Sequence, residues 1–292
     1  MGGKTVKTWS TPPAAEPRNL IPCAVCGSET FRLALDCGDF SYVRCGSCSL
    51  IQMNPQPAAE AVADRYGAAF GSDYLEYELA NETAFLGLQK KALEDIRFDA
   101  IETEIIRNSP EKPRFLDVGC ATGALLEYIR GRGWVGTGIE ICGPSAAYAR
   151  ETRGLDIREL PLEKNRFPED SFEIVHASHL IEHLNNPRAF TEEVRRILVP
   201  GGKFLVTTPN IAGFQAKLFR ERWRSAIFDH LYLFSRETLK KLLEQSGFTV
   251  TKTVTWGGLA AGIAPLPVKR IMDSAAKRFG FGDVMMILAE KR

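Results

Sequence analysis

Three sets of residues carry chemistry by their type and spacing. The first is two cysteine pairs, Cys23-Ala-Val-Cys26 and Cys45-Gly-Ser-Cys48, with eighteen residues between them. Glycine follows or splits each pair, which permits the tight turn that aims two sulfurs at one point. Two such knuckles on a small hairpin make the four-thiolate set that zinc prefers, and a closed set of that kind is structural. Four scattered free thiols are the alternative reading. Cys37 has no partner at that spacing and is expected to be a hairpin residue. The second set is the loop FLDVGCATGALL, residues 115–126, in which an apolar run ends in Asp117 and the chain turns through Gly119 and Gly123. The third is histidine, the default general base near neutral pH. All four, His176, His179, His183 and His230, fall in two segments, HASHLIEH and FDHLYLFS.

The loop grips a nucleotide-containing cofactor, and its spacing narrows which one. A dinucleotide fingerprint needs glycines spaced G-x-G-x-x-G, whereas here position 121 is alanine. No lysine followed by serine or threonine closes the loop, which excludes the nucleoside-triphosphate cradle. A carboxylate at Asp117 would repel a pyrophosphate but suits the cationic amino-acid end of S-adenosylmethionine. A second acid, Glu140, ends the next strand in GTGIEI, where a carboxylate can accept both hydroxyls of a ribose.

These groups need a scaffold, and the chain is long enough for one large domain with a small appendage. After Pro113 strand and helix patterns alternate. Strands are expected at FLDVG, WVGTGIE, FEIVHAS, KFLVTTP, FTVTKTVTW and DVMMILAE, with helices in GALLEYIRGRG, PSAAYARETRG, PRAFTEEVRRILVPGG and SRETLKKLLEQSG. That alternation predicts an α/β fold, a parallel sheet with helices on both faces and ligands at the strands' carboxyl ends. Ahead of it we expect a tail over 1–18, a zinc-ribbon-like hairpin over 19–57 and a helical lead-in or cap over 58–112, leaving 113–292 for the main domain. Tyr66, Tyr74 and Tyr77 at the front of the lead-in either pack or cover a ligand.

Composition limits the partners. With 37 basic and 36 acidic side chains and a net charge of +1, there is no electrostatic case for nucleic acid. No run of eighteen apolar residues exists to span a bilayer. The N-terminus has neither the apolar core of a signal peptide nor a myristoylation hydroxyl, so a cytoplasmic protein with reduced thiols is expected.

Residues from about 113 to 292 resemble the class I S-adenosylmethionine-dependent methyltransferases. LDVGCATG is similar to the family's first motif, GTGIEI to the second, RFPEDSFEIVHASHLIEHLNNP to the segment through the fourth strand, and RRILVPGGKFLVTTPN to the segment that follows. The cysteine pairs with SLIQMNPQP resemble a zinc-binding lead-in found on members that act on sugars, lipid-linked or secondary metabolites. The resemblance implies a Rossmann-like, doubly wound, seven-stranded form of the sheet with its last strand antiparallel. It also implies that Asp117, Gly119, Cys120 and Gly123 line the methionine and sugar side, with Glu140 on the ribose and Ile141 and Leu162 against the adenine. Thr122 and Ala177 complete the implied cofactor set. Pro161 stands where the family often has an acid or amide, and Glu173 where it usually has aspartate.

The implied reaction is methyl transfer to a small-molecule acceptor, largely by positioning, with a base where the acceptor is a hydroxyl or carbon acid. His179 is the first candidate to face the pocket. Glu182 and His183 match the family's frequent "EH" pair and either act on the substrate or fix the loop. His230 is base, binder or structural, and His176, inside a strand, is expected to be a packed core residue. Lys217, Arg220, Arg222 and Arg224, interleaved with Phe214, Phe219 and Trp223, either recognise an anionic group or form a solvated helix face. GGLAAGIAPLP reads as a pocket lip, and VKRIMDSAAKRF as a packed helix or one touching a membrane surface. A zinc-ribbon binding protein with a non-catalytic platform is the competing function.

Overall fold

The computed structural model describes residues 17–64, 68–109, 111–259 and 265–292. Most of the expected tail, Tyr66, and residues 260–264 of the expected lip lie outside the described residues.

The run FLDV and its neighbours are apolar on both faces, as strands covered from two sides must be. They form β1 (Arg114–Val118), β2 (Val135–Ile139), β3 (Asp156–Arg158), β4 (Phe172–Ser178), β5 (Leu198–Pro209), β6 (Phe248–Trp256) and β7 (Val284–Lys291). Their order across the sheet is β6-β7-β5-β4-β1-β2-β3, and β7 runs antiparallel to both of its neighbours. The chain winds outward in opposite directions from β1 and β4, which lie side by side. Their carboxyl ends therefore open a crevice at the reversal point. The expected sheet is present; β3, three residues long, is too short to announce itself by alternation.

Helices cover both faces. Arg236–Gln245 begins with a capping box in which Ser235 and Thr238 bond each other's backbone. The lead-in forms helices Ala59–Asp64, Ala68–Ile96 and Phe98–Asn108, the last two separated by Arg97 in a left-handed conformation. Ala92, Leu93 and Ile96 pack with Phe115, Trp134 and Leu205 on one side of the sheet. Among the described residues, no helix is long and apolar enough to cross a membrane.

The N-terminal hairpin, Phe31–Asp36 and Ser41–Cys45, carries a third strand, Ile51–Met53. A fourth, Tyr232–Leu233, arrives from the main domain and pairs Leu233 with Ile51 and Tyr232 with Gln52. One apolar core runs from Cys23, Tyr42 and Leu50 through Trp223 and Phe228 to Val175 and Phe204 of the sheet. Burying Phe228 alone is worth about 2–3 kcal/mol. The hairpin is thus stitched into the domain by a shared sheet and a shared core.

Candidate active site

The glycine loop leaves β1 through three residues of positive φ: Gly119, Ala121 and Gly123. A Cβ on Gly123 would lie 2.5 Å from Leu155 and 3.2 Å from Ala149, so this glycine sets how closely the loop approaches the helix Gly143–Arg153. Gly119 and Cys120 both donate to the carbonyl of Ile139 (2.8 and 3.1 Å), holding the loop against the end of β2. Glu140 braces it further, accepting from Ala121 N on one oxygen (2.9 Å) and Cys142 N on the other (2.8 Å). Burial pushes this carboxyl's pKa up, and those N–H groups pull it back. Asp117 faces His176, whose Nδ1 lies 2.7 Å from its carboxylate, and both are buried.

Two acids from the lead-in complete this end. Glu82 accepts from Thr122 Oγ1 at 2.7 Å and is clamped on both oxygens by Arg153, each at 2.7 Å. One helical turn earlier, burial raises the Glu78 carboxyl to about 7; Tyr74 opposes the shift, while the charges of Glu140 and Glu82 add to it. Neither acid stood out in the sequence. Their four-residue spacing on a helix was the available signal, but one indistinguishable from a solvated face.

A cavity of about 1230 Å³ joins this end to the histidines. Gly119, Cys120, Thr122, Glu140, Ile141 and Leu162 line one part; His179, His183 and His230, with Asp229 and Arg224, line another. Tyr74 and Tyr77 also reach the wall. Asp117, Gly123, Ala177 and Glu182 do not line it: Asp117 pairs with His176, Gly123 serves packing, Ala177 is buried within β4, and Glu182 is wholly buried. Trp223 is buried and donates to Asp283, which also pairs with Arg224 at 2.6 Å. Glu173 binds Arg114 at 2.8 Å.

The histidine end is built by strain and by backbone anchors. His179 directly follows β4 with φ 53°, and its N–H donates to the Thr207 carbonyl at 2.9 Å. A non-glycine residue held in that region is costly, and such positions cluster at functional sites. Its half-exposed ring stands at the mouth, Nδ1 3.3 Å from Glu182 Oε1. Glu182 Oε2 accepts from Thr208 Oγ1 at 2.9 Å, while Oε1 has no hydrogen-bond partner. Burial would raise this carboxyl, but His179 and the charges on His183 and His230 outweigh it and hold the pKa at about 2. His183 Nδ1 bonds the Asp229 carbonyl at 2.9 Å and lies 3.2 Å from its carboxylate. Burial opposes the charge on His183, yet Asp229 and Glu182 lift its pKa to about 9. His230 Nδ1 bonds the Ser225 carbonyl at 2.8 Å, and burial beside His183 lowers its pKa to about 4. The two rings meet edge to face at 4.7 Å. Glu182, His183 and His230 bring three ligand atoms within 4.8 Å of one another.

The four cysteines converge just as closely, within 4.8 Å. Sγ atoms of Cys23 and Cys48 are 3.3 Å apart, and those of Cys26 and Cys45 are 3.5 Å apart. A tetrahedron with zinc–sulfur bonds near 2.3 Å needs sulfurs about 3.8 Å apart, so the set fits zinc after small adjustment. Despite partial burial, the backbone N–H groups of Cys48 and Ser47, with the neighbouring thiols, bring Cys45 down to about 6. Tyr42, on the same hairpin, directs its hydroxyl between the carbonyls of Ile227 (2.7 Å) and His230 (2.8 Å). Leu231 N donates to the Glu182 carbonyl, and Met53 N to the Leu231 carbonyl. The hairpin therefore backs the loop that carries His230.

A family model described as a methyltransferase domain matches residues 75–253. A probable S-adenosylmethionine-dependent methyltransferase of Mycolicibacterium smegmatis is 32% identical over 141 residues, 48% of this chain and 53% of the relative. The mitochondrial ubiquinone biosynthesis O-methyltransferase of Rattus norvegicus is 26% identical over 183 residues, 54% of this chain and 53% of the relative. The chain thus spans about half the length of these curated relatives. Among solved structures, a chain from the complex of the Haloferax volcanii Trm112 methyltransferase activator with a methyltransferase superposes with a TM-score of 0.52 at 17% identity, covering 74% of this chain and 96% of that one. That likeness is one of fold.

Proposed function

Because the chain belongs to the class I S-adenosylmethionine-dependent methyltransferases, we propose that it transfers the methyl group to a small-molecule acceptor held against the histidine end of the cavity. The observation that carries this reading is the single cavity joining the glycine-loop wall to His179, His183 and His230. Its volume exceeds what a cofactor-sized ligand alone requires.

The residues present fit S-adenosylmethionine. Gly119 and Cys120 offer backbone close to the ligand, Glu140 offers a carboxylate to the ribose hydroxyls, and Ile141 and Leu162 offer apolar surface to the adenine. Glu78 and the Arg153-paired Glu82, both partly buried, stand on the wall of this part of the cavity. When bound, S-adenosylmethionine supplies an electrophilic methyl on a sulfonium. The chain's task is then to orient the acceptor, exclude water and move a proton. His179, at the mouth, would carry a proton to solvent. His183 and His230, fixed through Nδ1, would orient the acceptor. Cys23, Cys26, Cys45 and Cys48 would hold a structural zinc that keeps the hairpin, and hence the His230 loop, in register.

Calorimetric titration with S-adenosylhomocysteine tests the cofactor half. We expect binding in the micromolar range and a loss of about tenfold or more in Glu140→Ala, the equivalent of one charge-assisted contact. Absence of binding to the zinc-replete protein would defeat the reading. Native mass spectrometry of reduced protein, before and after acid denaturation, counts the zinc.

A further inference from the structure

The histidine end brings one buried carboxylate and two imidazoles together, with the half-exposed His179 Nδ1 3.3 Å from the carboxylate's Oε1. Glu182 is 0% exposed, and its Oε1 lacks a hydrogen-bond partner. An orphaned buried acceptor costs about 1–3 kcal/mol, so an orphan that persists points to a missing occupant. His183 and His230 each commit Nδ1 to a backbone carbonyl, which can only accept. Nε2 of both rings is left for whatever lies between them. Outer hydrogen bonds of this kind are how metal-ligating histidines are oriented, and Asp229, 3.2 Å from His183 Nδ1, adds an outer carboxylate. The three ligand atoms lie within 4.8 Å of one another, and both rings line the cavity.

We infer that Glu182, His183 and His230 form a second metal site, which holds one divalent transition-metal cation and presents it to a hydroxyl acceptor; the acceptor half rests on the methyltransferase reading above. One carboxylate and two imidazoles, without thiolate, favour manganese, iron, cobalt, nickel or zinc over calcium and magnesium. Three protein ligands leave positions open on the cavity side, unlike the four-thiolate set. An amine bound there would give its only lone pair to the metal and could not attack. A hydroxyl bound through one lone pair retains another, and the cation lowers its pKa. The hydroxyl proton leaves to water at the mouth beside His179. The oxygen–methyl bond forms as the sulfur–methyl bond breaks, and the bonding pair stays on sulfur.

The test reads metal rather than turnover. Reduced protein, stripped of exchangeable metal, is titrated with Co2+ under equilibrium dialysis while the electronic spectrum is recorded. Cobalt on four thiolates gives strong charge-transfer absorption; cobalt on imidazole and carboxylate gives only weak visible bands. We expect two ions per chain, one of each kind. Glu182→Gln and His230→Gln should each weaken the second site about 30-fold or more. Both variants should keep the thiolate spectrum, which reports an intact fold, and bind S-adenosylhomocysteine within about twofold of wild type. One cobalt per chain with the thiolate spectrum alone, or a second ion indifferent to both substitutions, overturns the site. If the second cobalt binds as described but no adenosyl ligand does, the methyltransferase reading fails and the metal site stands.

Discussion

The two ligand clusters differ in how the chain assembles them. Cys23, Cys26, Cys45 and Cys48 come from two short turns at the base of one hairpin. Glu182, His183 and His230 come from two segments distant in sequence, brought together by the hairpin's extra strand at Tyr232–Leu233. The first cluster has four ligands and no approach for a substrate. The second has three, and its two imidazoles face the cavity. On the proposed reading the closed cysteines serve stability and the open histidines serve turnover, although a single core connects them. Substitutions in each should therefore separate the two properties.

The largest effect is expected from breaking the closed cluster. Cys45→Ser removes a ligand and with it most of the zinc affinity. Because the hairpin core continues into the sheet, the loss should lower the stability of the whole described chain rather than fray one end. A cost of about 3 kcal/mol or more corresponds to a fall of roughly 10 °C in Tm. Differential scanning calorimetry checks it; an unchanged first transition would show that the hairpin is dispensable to the fold.

The open cluster should answer in the opposite sense. His183→Ala is expected to lower kcat about 100-fold or more, the range for a group acting on the reacting atoms. Tm should fall far less than in Cys45→Ser, and S-adenosylhomocysteine affinity should hold. His179→Ala, which removes a half-exposed side chain, should cost only about tenfold in kcat. Equal losses at both positions would make the proton step at His179 as limiting as the work of His183 and contradict the division between them.

Tyr42→Phe probes the bridge. It leaves the carbonyls of Ile227 and His230 without their shared donor in a buried place. The expected cost is about 1–2 kcal/mol of stability, with KM for the acceptor rising more than kcat falls, because the loop bearing His230 shifts while its imidazole stays. Stability loss with unaltered kinetics would show that the hairpin supports the fold but not the site.

The contrast between the clusters also explains what the sequence revealed. Local chemistry was legible: the paired cysteines, the glycine turn, the Ser235 capping box and the long apolar strands each declare themselves within a few residues. What depended on tertiary contact was not. Tyr232–Leu233 is two residues of ordinary loop until Ile51 and Gln52 pair with it. Asp117 has the motif position of a ligand-facing acid, yet the ring of His176 across the adjacent strand turns it inward. Glu182 and His183 read alike in the sequence but differ in exposure: one is a wholly buried carboxylate, the other a ring on the cavity wall.

The smallest expected effect lies at the cofactor end and depends on pH. Glu78 carries its carboxyl at about 7, raised first by burial and then by the charges of Glu140 and Glu82, against the opposing effects of Tyr74 and His179. A folded-state pKa above the ordinary carboxylate value means that the folded chain holds this proton more tightly than the unfolded one. Its contribution is then fully present below about 4.5 and disappears as pH rises through about 7. Water reaching the cavity screens the interaction, so the contribution is about 1 kcal/mol. Glu78→Gln keeps the neutral shape without the titration. The stability difference between variant and wild type, from urea unfolding at pH 5 and at pH 7.5, should change by that amount, with the variant gaining relative to wild type at the higher pH. A difference that is constant with pH would mean that Glu78 is ionised and paired at neutrality. The acids of the lead-in helix would then form a fixed negative wall, and the cofactor end would resemble the histidine end in holding charge before its ligand arrives.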